Sequence, residues 1–341
     1  MRALLMAAAS DGPDRSEVRA VSEAAPAAGE VSIEVAYAGV NFLDVMARRG
    51  DPGYVSAWPY TPGLEVAGAV RATGPGVSGL AVGQSVAAFT PNGGGLAEVA
   101  LAPAALTVAV PEGVPLLVAA AAPVMLASAL LLLTHAGRLS PGESVLVHSA
   151  SGGVGTAVAQ LVPVLGGGLR IGSVGRPEKV QAARDSGYDV AFARRDELAA
   201  QIRAAAGGVD VVLDPLGTSM LDLDLAVAAP GGRIVLFGNA GGRTPAPLPA
   251  AGRLIAGNVA VGGFSISRLA AAAPDRVAGA LRRVLDLLAA ERLHLPVTEL
   301  GSLDDVPAVH QHLAEGRGSG KYVTRLRSAQ PVQPGPAPGT W

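Results

Sequence analysis

The 341-residue chain contains no cysteine. That excludes disulfides and any zinc site built on thiolates. Aromatic residues make up only 4 %, too few for the stacking platforms on which single-stranded nucleic acids lie. Lysine is almost missing too: Lys179 and Lys321 stand among basic residues that are otherwise all arginine. The formal net charge of -2 comes with no basic face or stripe for a polyanion, so nucleic acid is not an expected partner. Long apolar runs are scarce. The start, MRALLMAAAS, is shorter than a signal-peptide core with its flanks and leads into strand-like sequence. Residues 114–133, VPLLVAAAAPVMLASALLLL, are long enough to span a bilayer, but they are rich in weakly apolar Ala and broken by Pro123. They read as a buried helix pair of an α/β protein, and no membrane partner is expected.

What the chain has instead is glycine, 45 residues of it, and enough length for two full cores. Up to about residue 110 it alternates short β patterns with turns: VSIEVAYAGV (31–40), LEVAGAVRATG (64–74) and VGQSVAAFT (82–90), with NGGG (92–95) as a breaker. This predicts a compact barrel-like β unit. From about 115 the pattern becomes β-α-β, with strands at SVLVH (144–148), LRIGSV (169–174), VDVVLD (209–214), GGRIVLFG (231–238) and NVAVGGFS (258–265). Such alternation predicts a parallel sheet covered by helices. An amphipathic helix is expected over 276–293, another over about 304–315, and GKYVTRL as a closing strand. The tail after it is Pro-rich and reads as disordered.

One stretch carries the chemistry. Ala150-Ser151-Gly152-Gly153-Val154-Gly155 follows a strand and opens a helix, in the pattern G-x-G-x-x-G with Ala in first place. Small residues there allow a tight turn, close approach of backbone to a pyrophosphate, and close packing of helix on strand. The helix N terminus offers free N–H groups to the phosphates. A site for NAD usually has an acid at the tip of the second strand, bonded to the ribose 2′-OH. Here that tip reads Ser173-Val174-Gly175-Arg176-Pro177-Glu178-Lys179. Arg176 and Lys179 suit a 2′-phosphate, which favours NADPH, with Arg194 as a weaker third cation.

The segments AGVNFLDVMARRG (38–50), PYTPGLEVAGAV (59–70), PGESVLVHSASGGVGTAVAQL (141–161), VDVVLDPLG (209–217), GRIVLFGNAGG (232–242) and GKYV (320–323), in this order, resemble the medium-chain dehydrogenase/reductase superfamily in its zinc-independent quinone oxidoreductase branch. DPLG and GGFS look like the vesicle amine transport protein-like and enoyl reductase-like members. The resemblance implies an α/β fold, a GroES-like β-barrel domain plus a Rossmann domain with a doubly wound parallel sheet. It assigns 1–118 to the barrel and 119–265 to the Rossmann NADP(H)-binding domain. Residues 266–327 return to the barrel, and 328–341 form the tail. A cytoplasmic homodimer and a small-molecule substrate, a quinone or an α,β-unsaturated carbonyl, are implied with it. Zinc-dependent relatives carry Cys about where Asn41 stands and His where Leu64 stands, so no metal is expected.

The same resemblance nominates site residues. Asn41 is the first candidate to donate to the acceptor oxygen, with a turn-stabilising Asn as the plain alternative. Asp44 reads as a helix cap. Tyr54 is a candidate proton donor and Tyr60 its fallback. Ser128 stands in a T-A-Y motif whose Tyr is Leu130 here. Besides Ala150, Gly152, Gly153, Val154 and Gly155, the cofactor side would include Phe237, Gly238, Asn239, Phe264, Ser265 and Lys321, the last near the nicotinamide or the 2′-phosphate. Asp214 and His148 read as structural. Pro163 should kink or end the helix after the glycine turn, and His310 and His312, two apart on a helix, should diverge. Two other classes remain open: a cofactor-binding protein with little redox activity, and a non-redox tailoring enzyme on the same scaffold.

Overall fold

The structure, a computed structural model, describes residues 1–242 and 244–326. The tail from 328 onward, expected to be disordered, lies outside the described residues. The N-terminal part begins with an antiparallel pair, β1 (Arg2–Met6) and β2 (Ser16–Ala20). The start of the chain is thus a strand, with Ala3, Leu4 and Met6 fully buried. There follow β3 (Glu30–Val40), α1 (Phe42–Arg49), β4 (Glu65–Thr73), β5 (Ser85–Phe89), β6 (Val99–Pro103) and β7 (Thr107–Ala109). Register shifts at Ser32/Ile33 and Val35/Tyr37 bend β3 against β4, as bulges do when a sheet must curl.

Residues 116–136 form helical turns rather than two plain helices. Short α turns, α2 (Leu116–Ala119) and α3 (Ala127–Leu131), alternate with wide π turns at Ala122–Leu126 and Leu132–Ala136. Ala119 to Leu133 are all buried, which explains the long apolar run. Among the described residues no helix is long and apolar enough to cross a membrane.

Next come β8 (Val145–His148), α4 (Gly153–Val164), β9 (Arg170–Val174), α5 (Val180–Asp185), β10 (Val190–Ala193) and α6 (Leu198–Ala206). The sheet is completed through β11 (Val209–Asp214), α7 (Leu221–Val227), β12 (Ala228–Leu236), α8 (Ala251–Gly257) and β13 (Ala260–Gly263). These six strands are parallel and ordered β10-β9-β8-β11-β12-β13. The strand order reverses between β8 and β11, so a crevice opens beyond their carboxyl ends, where α/β sheets take ligands. The glycine turn leaves β8 at that crevice. Pro163 is the next-to-last residue of α4, so the proline stands at the end of its helix.

Then follow α9 (Ile266–Ala272), α10 (Pro274–Ala289), β14 (Val297–Leu300), α11 (Val306–Ala314) and β15 (Lys321–Arg325). β15 pairs antiparallel with β3, and β14 parallel with β15, so the last segment joins the N-terminal sheet in the order β14-β15-β3-β4-β5-β7, with β6 also on β3. The helix expected over 276–293 ends earlier, at Ala289. Glu291 takes a left-handed φ of 53° and Arg292 N–H closes on Leu287 O at 2.9 Å. Leu293 continues the apolar period because it is buried as connecting chain.

Candidate active site

Ser149 leaves β8 with a left-handed φ of 59°, a strained setting for a residue with a Cβ. Its carbonyl accepts Gly152 N–H at 2.9 Å, and the helix ladder starts with Thr156 N–H on Gly152 O at 2.8 Å. The N–H groups of Gly153, Val154 and Gly155 therefore have no partner within the helix, as in any first turn. The glycines differ in role. A Cβ on Gly155 would lie 2.3 Å from Ala150 O, whereas one on Gly152 would meet only Ser149 O at 3.2 Å. Gly155 lets α4 pack onto the turn; Gly152 leaves the approach to the N–H groups bare.

Arg176 and Lys179 stand beyond the tip of β9, as expected, and both are held by the chain itself. Arg176 Nη2 donates to Glu315 O at 2.9 Å, and Lys179 Nζ donates to Gly318 O. Burial, with Arg176 nearby, pushes the Lys179 ammonium below its usual range. Arg194 follows β10; its Nη1 is buried without a hydrogen-bond partner, and burial lowers its pKa.

The same C-terminal segment crosses the glycine turn. Gly320 N–H donates to Ser151 O at 2.8 Å and Ser319 Oγ to the same oxygen at 3.1 Å. The next residue, Lys321, turns its side chain into the N-terminal sheet. Its ammonium donates to Val40 O at 2.9 Å, to Asn41 Oδ1 at 2.8 Å and to the Glu65 carboxylate. All three of its protons are engaged, so Lys321 stands with Asn41 and not with the Arg176–Lys179 pair. Asn41 Nδ2 donates to Glu65 Oε1 at 2.9 Å, and Glu65 Oε2 accepts Val124 N–H at 2.7 Å. Met125, next to Val124, lies 2.8 Å from where a Cβ on Gly153 would stand. The glycine turn, the π turn at Ala122–Leu126 and the Asn41–Glu65–Lys321 cluster are therefore contiguous. Asn41 precedes α1, and Asp44 Oδ2 accepts its backbone N–H at 2.8 Å while Oδ1 takes Gly63 N–H at 3.0 Å. Asp44 is a cap, and it also ties the entry of β4 to α1.

Ser128 and Leu130 are buried on α3. Phe237, Gly238 and Asn239 leave β12 at the crevice, with Phe237 N–H on Asp214 O at 2.9 Å. Phe264 N–H bonds Leu236 O at 2.9 Å, and Ser265 caps α9, its Oγ accepting Arg268 N–H at 3.4 Å. Tyr54 lies half-buried in the loop after α1; burial, with Asp51 close by, raises its pKa. Tyr60 is raised further, by burial and by Asp44.

Two features were not read from the sequence. Glu65 lies within PYTPGLEVAGAV (59–70), where the sequence gives it no role; an acid opening an apolar strand is the available signal, since a buried carboxylate needs partners. The second is a polar cluster under the sheet's carboxyl edge. His148 Nδ1 meets Ser173 Oγ at 2.5 Å and Nε2 meets Asp224 Oδ1 at 2.7 Å, all fully or almost fully buried. Asp214 belongs to it: Oδ1 accepts Leu216 N–H at 2.7 Å, as a structural Asp should, and burial next to Asp224 raises its pKa to about 6. His310 is buried near Asp44, Nε2 to Oδ2 3.8 Å, while the His312 ring packs edge-on against Tyr322; the two diverge as expected.

The family model of the alcohol dehydrogenase GroES-like domain matches residues 27–112, and that of the zinc-binding dehydrogenase matches 153–286. The residues here do not fit a zinc ion. Leu64 offers no ligand atom, the Asn41 oxygen is taken by an ammonium, and no group of three or more His, Cys, Asp or Glu among the described residues could hold a metal. Similar proteins include the spectinabilin polyketide synthase system protein NorB of Streptomyces orinoci, 36 % identical over 90 % of this chain. The chain spans only 14 % of that protein's length. The quinone oxidoreductase-like protein 2 of Bos taurus is 32 % identical, covering 87 % of this chain and 85 % of its own. The human synaptic vesicle membrane protein VAT-1 homolog-like is 30 % identical over 87 % of this chain and 74 % of its own. Among solved structures, mycobacterial Rv1454c complexed with NADPH superposes with a TM-score of 0.87 at 30 % identity, covering 95 % of this chain and 100 % of the other. The CurK enoyl reductase does so with 0.83 at 26 %, covering 96 % and 99 %. With its glycine turn at the sheet's switch point and its C-terminal strand returned to the barrel, the chain belongs to the quinone oxidoreductase branch of the medium-chain dehydrogenase/reductase superfamily.

Proposed function

We propose that the chain is an NADPH-dependent, zinc-independent reductase that transfers hydride to a quinone or an α,β-unsaturated carbonyl. The observation that carries this reading is the pairing of a bare helix N terminus at Gly152–Gly155 with two cations, Arg176 and Lys179, beyond a strand that ends at Val174-Gly175 without an acid; Glu178, in the turn between the cations, lies 3.8 Å from Arg176 Nη1. The family adds support, since the similar Rv1454c structure holds NADPH. In this reading the N–H groups of Gly153, Val154 and Gly155 take the pyrophosphate, and Arg176 and Lys179 exchange the carbonyls of Glu315 and Gly318 for the 2′-phosphate. Ser128, Phe237, Phe264 and Ser265 flank the nicotinamide end. The nicotinamide, when bound, supplies the hydride. Asn41 donates to the acceptor oxygen as negative charge develops there, and Tyr54 returns a proton to the carbon skeleton.

The domain assignment follows the same division. Residues 119–265 hold the cofactor, and 1–118 with the returning 266–327 form the acceptor side. The outer edge of β13 has no strand beside it among the described residues, and Leu248 and Ile255 are 58 % and 79 % exposed. An open edge of this kind is a template for a second strand, which supports a homodimer formed there. Fluorescence titration of the purified chain with NADPH and NADH tests the cofactor reading. A clear preference for NADPH is expected, and equal affinity for the two removes Arg176 and Lys179 from the 2′-phosphate role.

A further inference from the structure

We infer that Glu65 and Lys321 are positioning residues that lock and polarise the Asn41 side-chain amide, leaving it one N–H to give to an acceptor oxygen. The inference rests on the reductase reading for the identity of that oxygen. The lock itself follows from hydrogen-bond arithmetic in a buried site. An amide has two donors on nitrogen and acceptor capacity on oxygen. Asn41 Oδ1 accepts from the Lys321 ammonium at 2.8 Å. One Nδ2 proton goes to Glu65 Oε1 at 2.9 Å. The other has only a contact of 3.5 Å to Gly39 O, beyond a normal hydrogen bond. An amide that were flipped would set its NH₂ against the ammonium, and its oxygen against the carboxylate. The orientation is therefore fixed by charge on both sides.

The charges also act on the amide's electrons. An ammonium on the oxygen draws density from the nitrogen, which makes the remaining N–H a stronger donor; hydrogen bonds in such chains reinforce one another. Lys321 cannot serve the acceptor directly, because Val40 O, Asn41 and Glu65 occupy its three protons. Glu65 cannot either: it is 0 % exposed, with Oε1 shared by Asn41 and Lys321 and Oε2 on Val124 N–H. Both charges work through Asn41. Val124 also fixes the assembly to the π turn that abuts the glycine turn, so the donor is registered to the cofactor side and not only to the barrel.

The test combines an amide spectrum with kinetics, on the full chain. Isotope-labelled asparagine gives a short spectrum, because the chain carries only Asn41, Asn92, Asn239 and Asn258; loss of one pair of signals in Asn41→Asp assigns Asn41. Two resolved protons that exchange slowly with each other are expected in the native protein, and Lys321→Met and Glu65→Gln should both shift the pair. In turnover, both variants should lower kcat by about 10-fold or more, the scale on which loss of one stabilising donor is felt, while NADPH affinity changes less than about 3-fold. The native spectrum and circular dichroism of each variant show whether it folds, and Glu65→Gln, nearly the same shape, covers the case in which Lys321→Met does not. An Asn41 signal unmoved by both variants overturns the inference, as does a loss confined to NADPH affinity with kcat intact. If the native chain leaves NADPH unoxidised with every quinone and enone supplied, the reductase reading fails by itself, and the amide spectrum still decides whether Asn41 is locked.

Discussion

The Arg176 guanidinium donates to the Glu315 carbonyl oxygen at 2.9 Å, across 139 positions of sequence. The cation nominated for the 2′-phosphate is thus held by the end of α11, and Lys179 is held three residues further along, at Gly318 O. A phosphate dianion is a stronger acceptor than a backbone carbonyl, so the exchange favours the phosphate. Arg176→Ala should weaken NADPH by about 1.5–3 kcal/mol, the range for hydrogen bonds to charged groups, and leave NADH within a factor of about 2. Competition titrations with both cofactors measure this, and equal losses would remove Arg176 from the 2′-phosphate site.

Gly152 and Gly155 should separate binding from stability. Gly155→Ala drives a Cβ to 2.3 Å from a backbone oxygen, and overpacking of this kind costs about 1–3 kcal/mol or more. Gly152→Ala meets only one atom, at 3.2 Å, and φ there is -81°, so the fold should survive while the phosphate approach is blocked. Melting curves and cofactor titrations on the two variants should give opposite rankings. If Gly152→Ala binds NADPH as the native chain does, the turn is not the pyrophosphate site.

Asp214 sets a pH dependence whose sign is opposite to that of a salt-bridged acid. Its pKa is raised from 3.8 to about 6 by burial first and Asp224 second, while His148, Leu216 N–H and Arg194 pull it down. Between those two pH values the native state holds more protons than the unfolded chain, so this group's contribution is full below about pH 4 and is lost as pH rises through 6. Asp214→Asn keeps an oxygen for Leu216 N–H and removes the buried charge. The variant should match the native protein near pH 4 and exceed it in Tm at pH 7. A variant less stable at pH 7 would show that the ionised carboxylate is wanted there.

Tyr54 and Tyr60 should behave differently. Burial raises both, Tyr60 more, and Tyr60 sits beside the fixed carboxylate of Asp44. Tyr54→Phe should cut enone reduction by about 100-fold, the lower end of general acid catalysis, with quinone reduction little changed, because a hydroquinone takes its protons on oxygen from water. Tyr60→Phe should leave both reactions within a few-fold. Steady-state rates on one enone and one quinone decide between them. Equal, small effects of the two substitutions would leave proton delivery to solvent.

The parts of the fold carried by short-range pattern were legible in the sequence. Val209–Asp214 is apolar and β-branched enough to read as a strand at its true bounds, and the strand-glycine-helix order at 145–155 marks the crevice. Elements whose residues serve two environments were not. Val190–Ala193 and Val297–Leu300 are short and half-buried, too short for a period to show. The run from 114 to 133 looked like paired helices because π turns keep the apolar face continuous while changing the pitch. At the site, chain-local features were readable: the bare glycines, the basic strand tip, and Asp44 as a cap. What joins Asn41, Glu65 and Lys321 is a pairing between strands 281 residues apart in its longest contact, and no local pattern carries that. Lys321 was expected on the cofactor side, but its ammonium is taken by Val40 O, Asn41 and Glu65, and in the sequence Glu65 is only an acid at the head of β4.

The most direct measurement follows NADPH absorbance in oxygen-free solution while the purified chain is mixed with 1,4-benzoquinone, with a simple enone, and with an enoyl thioester. NADPH is expected to be consumed with at least one of these acceptors in step with formation of its two-electron-reduced product, and NADH to support a slower rate at equal concentration. NADPH that binds but is not oxidised by any acceptor, or product that forms without NADPH loss, would contradict it.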